Sequence, residues 1–208
     1  KSIFFIVLKF EYNVLIDAAA IMKDLENKQI INIIKNKSDY RYYIFKEGDK
    51  RILHDKQTGE YLPYKNQKFS SEKVFYYYNQ KNTVGTDFKQ TKDLKGITIS
   101  NNFNTYTQIS QAIYRCRHLN IGTTMDIIFY GDRNISNRID YYQYIKRQDT
   151  LSKESKQDLL LLQTLKYLVR IKYNNYTETQ IQPYFLTGDD EINKEYLINR
   201  LIANIKGL

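Results

Sequence analysis

The chain alternates between short apolar runs and segments of helical period. Residues 14–20, "VLIDAAA", form an apolar run that ends in small residues, and "KDLENKQIINIIKNK" comes next with Leu25, Ile30, Ile33 and Ile34 at helical spacing. "YRYYIFK" and "KRILHD" predict strands, and Gln57-Thr58-Gly59-Glu60 predicts a turn before "YLPY". These pieces are expected to form a β-hairpin inserted between core elements. Residues 73–78 are near-continuously apolar and aromatic, as in a strand covered on both faces.

Downstream, "LKGITIS" predicts a strand over 94–100, "TYTQISQAIYRCRHL" a helix over 105–119, and "TMDIIFYG" a strand over 124–131. Strand, helix and strand joined by short connections predict an α/β fold with a doubly wound parallel sheet. Residues 151–172 carry a dense set of leucines (Leu159–Leu162, Leu165, Leu168), expected to form a helix buried on much of its circumference. Asp189 or Asp190 can cap a last helix through Ile192, Leu197, Ile198, Leu201, Ile202 and Ile205. The expected organisation is one α/β domain over 1–133 and a helical C-terminal appendage over 134–208.

Composition narrows the picture. With 42% hydrophobic and 14% aromatic residues in 208, the chain can bury a sizeable core. The net charge of +9 would suit a polyanion, but the lysines are scattered, and richness in Lys, Asn, Ile and Tyr together matches drift in an AT-rich genome. One cysteine, Cys116, excludes an intrachain disulfide and predicts an intracellular, reducing compartment, cytoplasm or nucleus. Two distant histidines, His54 and His118, argue against a structural zinc site. The longest apolar run, 3–8, is too short for a membrane span, so no membrane partner is expected. The chain begins with Lys1 and ends within a helical pattern, and the expectation is a fragment of a longer polypeptide.

Candidate chemistry begins where "VFYYY" empties into polar residues and then Gly85-Thr86-Asp87. On a helical wheel at about 100° per residue, Ile109, Ala112, Ile113, Cys116 and Leu119 form one apolar stripe. Gln108, Gln111, Arg115 and His118 form a polar stripe beside it, and Arg117 lies off both. Cys116 and His118 project about 200° apart, which excludes a thiol–imidazole pair. The twenty tyrosines sit mostly in strand-like runs, where β-propensity and packing account for them. Asp17 is either a strand-end carboxylate facing a cleft or a cap.

A strand ending in a Gly-x-Asp loop, and then a helix with a Gln/Arg row, resembles the second RecA-like domain of superfamily 2 helicases. More narrowly, "VLIDAAA", "YYNQKNTVGTDFKQ", "ITIS" and "TQISQAIYRCRHLNIGTTMDIIFYG" resemble the helicase-like region of very large eukaryotic proteins, over about residues 14–131. The resemblance implies a RecA-like sheet that closes over ATP and Mg²⁺ held mainly by an upstream P-loop domain of the same chain. Arg115, with Arg117 or His118, would stabilise the transferring phosphoryl group. Gly85, Thr86, Asp87 and Gln111 would sense nucleotide and couple it to a nucleic-acid strand or to domain closure.

Two departures weigh against hydrolysis by these residues alone. Asn79-Gln80 stands where many relatives of that kind carry Asp-Glu, and an amide holds no Mg²⁺ by charge. The sequence also contains no G-x-x-x-x-G-K-[ST] phosphate loop. These departures leave open a degenerate RecA-like module serving as a structural or protein-interaction platform in a larger assembly. A nucleic-acid-binding module without NTPase activity rests on charge alone.

Overall fold

The computed structural model describes residues 3–131 and 135–172. The chain divides into two compact units, Lys1–Thr150 and Leu151–Leu208. In the first unit the described residues build α1 (Ile3–Lys9), β1 (Val14–Asp17), α2 (Asn27–Lys35), β2 (Tyr42–Glu47), β3 (Lys50–Asp55), β4 (Tyr61–Pro63), β5 (Val74–Tyr78), β6 (Lys95–Asn101), α3 (Tyr106–Ile113) and β7 (Thr124–Tyr130). The long helix α4 (Arg138–Lys172) begins in the first unit and continues into the second. No helix among the described residues is long and apolar enough to cross a membrane.

The fold is α/β, with a single seven-stranded sheet among the described residues, in the order β4-β3-β2-β5-β1-β6-β7. The pairs from β2 through β7 on the main run (β2–β5, β5–β1, β1–β6 and β6–β7) are all parallel. β3 and β4 are added antiparallel at one edge. This doubly wound arrangement with a C-terminal helix has the character of a RecA-like fold. One expectation is corrected here. "YRYYIFK" and "KRILHD" do pair as an antiparallel hairpin, but β2 also pairs in parallel with β5 and so belongs to the core sheet, and β3 and β4 extend it at the edge.

Parallel strands need cover on both faces, and alternating side chains supply it. One face presents Leu15, Tyr43, Phe45, Phe75, Tyr77, Ile97 and Ile99 to the apolar sides of α1 and α2, including Ile3, Val7, Ile30, Ile31 and Ile34. The other presents Val14, Ile16, Ile44, Val74, Tyr76 and Tyr78 to Ile109 and Ala112 of α3, Cys116, Phe88 and Leu94. Ile145 of α4 joins this second core, while Tyr141 donates to Ser100 Oγ (2.8 Å) and Tyr144 to the Asn102 carbonyl. The first unit therefore takes in the opening turns of α4.

Burial of the tyrosines results from the strand pattern. Tyr43, Tyr76, Tyr77 and Tyr78 are fully buried. Edge strand β7 is only partly covered, with Ile127 and Tyr130 exposed. The leucines of α4 differ from expectation. Leu159, Leu160 and Leu161 are exposed rather than buried, since successive helical positions point in different directions and cannot share one apolar face. The helix expected between Asp189 and Ile205 lies outside the described residues.

His54 on β3 is buried between two partners of fixed role. Its Nδ1 lies 3.1 Å from the Glu60 carbonyl, which can only accept, and its Nε2 lies 3.3 Å from the Lys35 ammonium, which can only donate. The ring is thus neutral, stacked on Tyr61 at 4.3 Å between centroids. Burial and the nearby Lys35 charge hold its pKa below the usual 6.5. The folded chain binds fewer protons here than the unfolded one, so stability is complete above the ordinary histidine pKa and declines as pH falls below it. Denaturant midpoints are expected to fall between about pH 7.5 and about pH 5.5, which bracket that ordinary value. The fall should be smaller for His54→Gln; parallel falls would place the titration elsewhere.

Candidate functional site

The site is assembled from the loop after β5 and the turn after α3. At the end of β5, Asn79 accepts from the Asn82 amide (3.1 Å) and caps a 3₁₀ turn over Gln80–Asn82. Thr83 Oγ1 donates to the Gln80 carbonyl (2.7 Å) and closes that turn. Gly85 then takes φ +74°, which costs other residues strain. Thr86 is buried and donates to Asn82 Oδ1, while Asp87 faces outward.

Aromatic packing fixes residues 88–90. The Phe88 ring meets those of Tyr64, Tyr76 and Tyr78 at 5.0–6.1 Å. The hydroxyls of Tyr64 and Tyr76 both donate to the Lys89 carbonyl. Gln90 is buried; its Nε2 donates to Tyr78 Oη (2.9 Å), and its Oε1 accepts from the Arg117 amide (3.2 Å). The loop is tied down along one side of the sheet by three tyrosines and a glutamine.

α3 opens with a capping box in which Thr105 and Gln108 satisfy each other's backbone amides. It stops at Ile113, earlier than the expected Leu119. The Arg115 and Cys116 amides bond to carbonyls three residues back, at Ala112 and Ile113, so the chain tightens into a turn of 3₁₀ type. Angles of an α-helical wheel lose their meaning beyond Tyr114. That is why Arg117, which the wheel sets apart from Arg115, reaches the same loop.

The two segments meet through both arginines. Arg115 Nη1 donates to the Thr86 carbonyl (2.8 Å), and its Nε to the Gln111 carbonyl (3.2 Å). Arg117 Nε donates to Asp87 Oδ1 at 3.1 Å, both side chains about half exposed. The Asp87 carboxylate raises the Arg117 pKa further. Of the candidate residues, Gly85, Thr86, Asp87, Arg115 and Arg117 come together, and Gln111 joins through its main chain. The His118 carbonyl accepts from the amides of Ile121 and Thr123, and among the described residues its ring makes no hydrogen bond with this cluster.

Arg117 also lines a groove of about 340 Å³, with Ser110, Ile113, Tyr114, Cys116, Leu119 and Asn120. Cys116 itself is inert. It sits in the apolar core, where burial pushes its thiol up to about 12. Asn79 is no substitute for a metal ligand, since its amide is already engaged with Asn82 and, at 3.2 Å, with Asn27. Among the described residues no group of three or more His, Cys, Asp or Glu could hold a metal ion.

At the end of β1, Asp17 is neither exposed nor a helix cap. Its carboxylate accepts from the amides of Ile21 (3.0 Å) and Met22 (2.8 Å) and shapes the loop after the strand. Burial raises its pKa, and those backbone donors oppose the rise. Asn101 and Asn104 donate to the carbonyls of Ala19 and Ala18, locking that loop to the end of β6. Gln90, Asn101 and Asn104 are not singled out by sequence. The only available signal is polar amides flanking apolar strands, which is common in ordinary loops.

No protein-family model matches the chain, and no curated protein matches it.

This geometry fixes two expected outcomes. Gln90→Leu strands the buried Tyr78 hydroxyl and should destabilise the fold by about 1–3 kcal/mol in denaturant unfolding, partly recovered in a Gln90→Leu/Tyr78→Phe pair. Cys116 should resist a thiol reagent in the native state and react once the chain is unfolded.

Proposed function

We propose that this chain is the second RecA-like lobe of a helicase-like, nucleotide-dependent protein. The observation that carries this reading is the double contact between the Gly-Thr-Asp loop and the arginine turn, Thr86–Arg115 and Asp87–Arg117. Residues about thirty positions apart, singled out by resemblance, are physically one unit. The parallel sheet supports the same reading, because nucleotide-dependent α/β folds bind their ligands at the loops beyond the carboxyl ends of such strands, where the Gly-Thr-Asp loop follows β5.

In this reading ATP and Mg²⁺ are held mainly by an upstream P-loop domain, and when bound they supply the phosphoryl chemistry. The arginines would offer positive charge to the phosphates from the opposite wall. Gly85 sets the loop's direction, and Thr86 and Asp87 would transmit its position to the arginine turn. Asn79 and Gln80 do not suit a cation, so no metal is assigned to them. A bound nucleic-acid strand belongs to this proposal as the load on the motor.

A second reading is favoured by a specific observation. The Asn79 amide, where a carboxylate would be needed, is used up in capping the 3₁₀ turn, as in a module kept for its shape within a larger assembly. ATP turnover by the full-length protein, with and without RNA or DNA, separates the two. The motor predicts stimulated turnover that falls by about a thousandfold or more in Arg115→Ala/Arg117→Ala, the scale of an arginine finger. Absence of turnover under every nucleic acid tested would leave the platform.

A further inference from the structure

At the edge of the sheet where β1 and β6 begin, opposite the loop that follows β5, cations and rings alternate in a row. Phe5 and Lys9 lie four residues apart on the outer side of α1, as Ile3 and Val7 do on its buried side. The Lys9 ammonium sits 5.8 Å from the centre of the Phe5 ring and 5.7 Å from that of Phe10. The Lys95 ammonium sits 6.0 Å from the Phe10 ring and 5.0 Å from the Tyr12 ring. Phe5 and Phe10 are about half exposed, and neither lysine forms an ion pair among the described residues.

The backbone under this row is fixed from several sides. Glu11 takes φ +54°, a strained turn for a residue with a side chain, and the Phe10 and Tyr12 rings come to lie 6.3 Å apart across it. The Tyr12 amide bonds to the Val7 carbonyl, the Tyr40 hydroxyl donates to the Glu11 carbonyl, and the Tyr12 hydroxyl donates to Asp126. The Lys95 amide donates to Asn13 Oδ1 (2.7 Å), and the Asn13 amide donates to the Lys95 carbonyl (2.9 Å). Lys95 Nζ donates to the Phe10 carbonyl (3.0 Å), which leaves two of its protons for a ligand.

We infer that this row binds single-stranded nucleic acid, with phosphates on Lys9 and Lys95 and bases on Phe5 and Phe10. It lies at the other end of the strands from the arginine turn and does not depend on the nucleotide reading. A single strand carries one phosphate for each flat base, and the row offers cations and rings in the same alternation. An exposed cation–ring contact is weaker than a charge-assisted bond to a phosphate oxygen, so phosphates draw the ammoniums aside and free the ring faces for bases. A lipid surface asks for apolar groups that stand clear of the charges, whereas both exposed rings here have an ammonium 5.7–5.8 Å away. A duplex keeps its bases turned inward and offers the row phosphates alone.

The test is fluorescence anisotropy of labelled oligothymidylate and oligouridylate with this chain, over a salt series. Phe10→Leu, which keeps an apolar side chain without a ring, should weaken binding about fivefold or more, with the salt slope and the melting temperature unchanged. Phe10→Trp should preserve binding. Lys9→Gln/Lys95→Gln should weaken it and reduce the slope of log affinity against log salt by about 1.4, two phosphate contacts on a single strand. Wild-type affinity in Phe10→Leu, or equal weakening by Phe10→Leu and Phe10→Trp, would remove base stacking and overturn the inference. No binding of either oligonucleotide at low salt would overturn it as well, and capture of phosphatidylserine vesicles in that case would reassign the row to a lipid surface. Binding lost in Arg115→Ala/Arg117→Ala but intact in Phe10→Leu would put the strand at the opposite edge and overturn it too.

Discussion

A tyrosine hydroxyl shut away from water must find a partner, and β5 ends in three tyrosines in succession. Two of them, Tyr76 and Tyr78, point to the face that α3 covers, and their hydroxyls reach the Lys89 carbonyl and the Gln90 amide. Those bonds draw the chain after β5 back across its own strand instead of letting it leave the sheet. Phe88 fills the space between the rings, and Gln90 passes the constraint to the Arg117 main chain. The Gly-Thr-Asp turn therefore emerges beside the arginines as a consequence of satisfying buried polar groups.

The strands are the legible part of the sequence. Apolar runs such as "VFYYY" and "ITIS" can be read directly, because burial on both faces writes itself into composition. The assignment of β2 is harder, since a strand in a parallel core and a strand of an inserted hairpin have the same apolar pattern; pairing alone separates them. α1 is invisible for a related reason. Its seven residues are nearly all apolar and show no period. The end of α3 is hidden because nothing in "IYRCRHL" breaks a helix: no Gly or Pro interrupts it, and the change from i−4 to i−3 bonding is decided by tertiary contacts.

The site is legible as a set of residues and illegible as a geometry. Gly85, Thr86, Asp87, Arg115 and Arg117 can be singled out, yet the partner each arginine takes depends on where α3 stops. The supporting amides, Gln90, Asn101 and Asn104, carry no pattern of their own. Their roles come from lying next to carbonyls and hydroxyls that burial leaves without water.

The two borders of the sheet are finished differently. β4 carries Pro63, whose ring nitrogen has no hydrogen to offer, so that border discourages a further strand. β7 pairs with β6 along seven registered positions, and among the described residues no strand joins its outer side. Its sequence holds a single charge, Asp126, already bonded to the Tyr12 hydroxyl, and no proline or lysine to repel a newcomer. Lateral growth of the sheet is thus blocked at one end and open at the other, so any concentration-dependent self-association of partly unfolded chains should begin at β7.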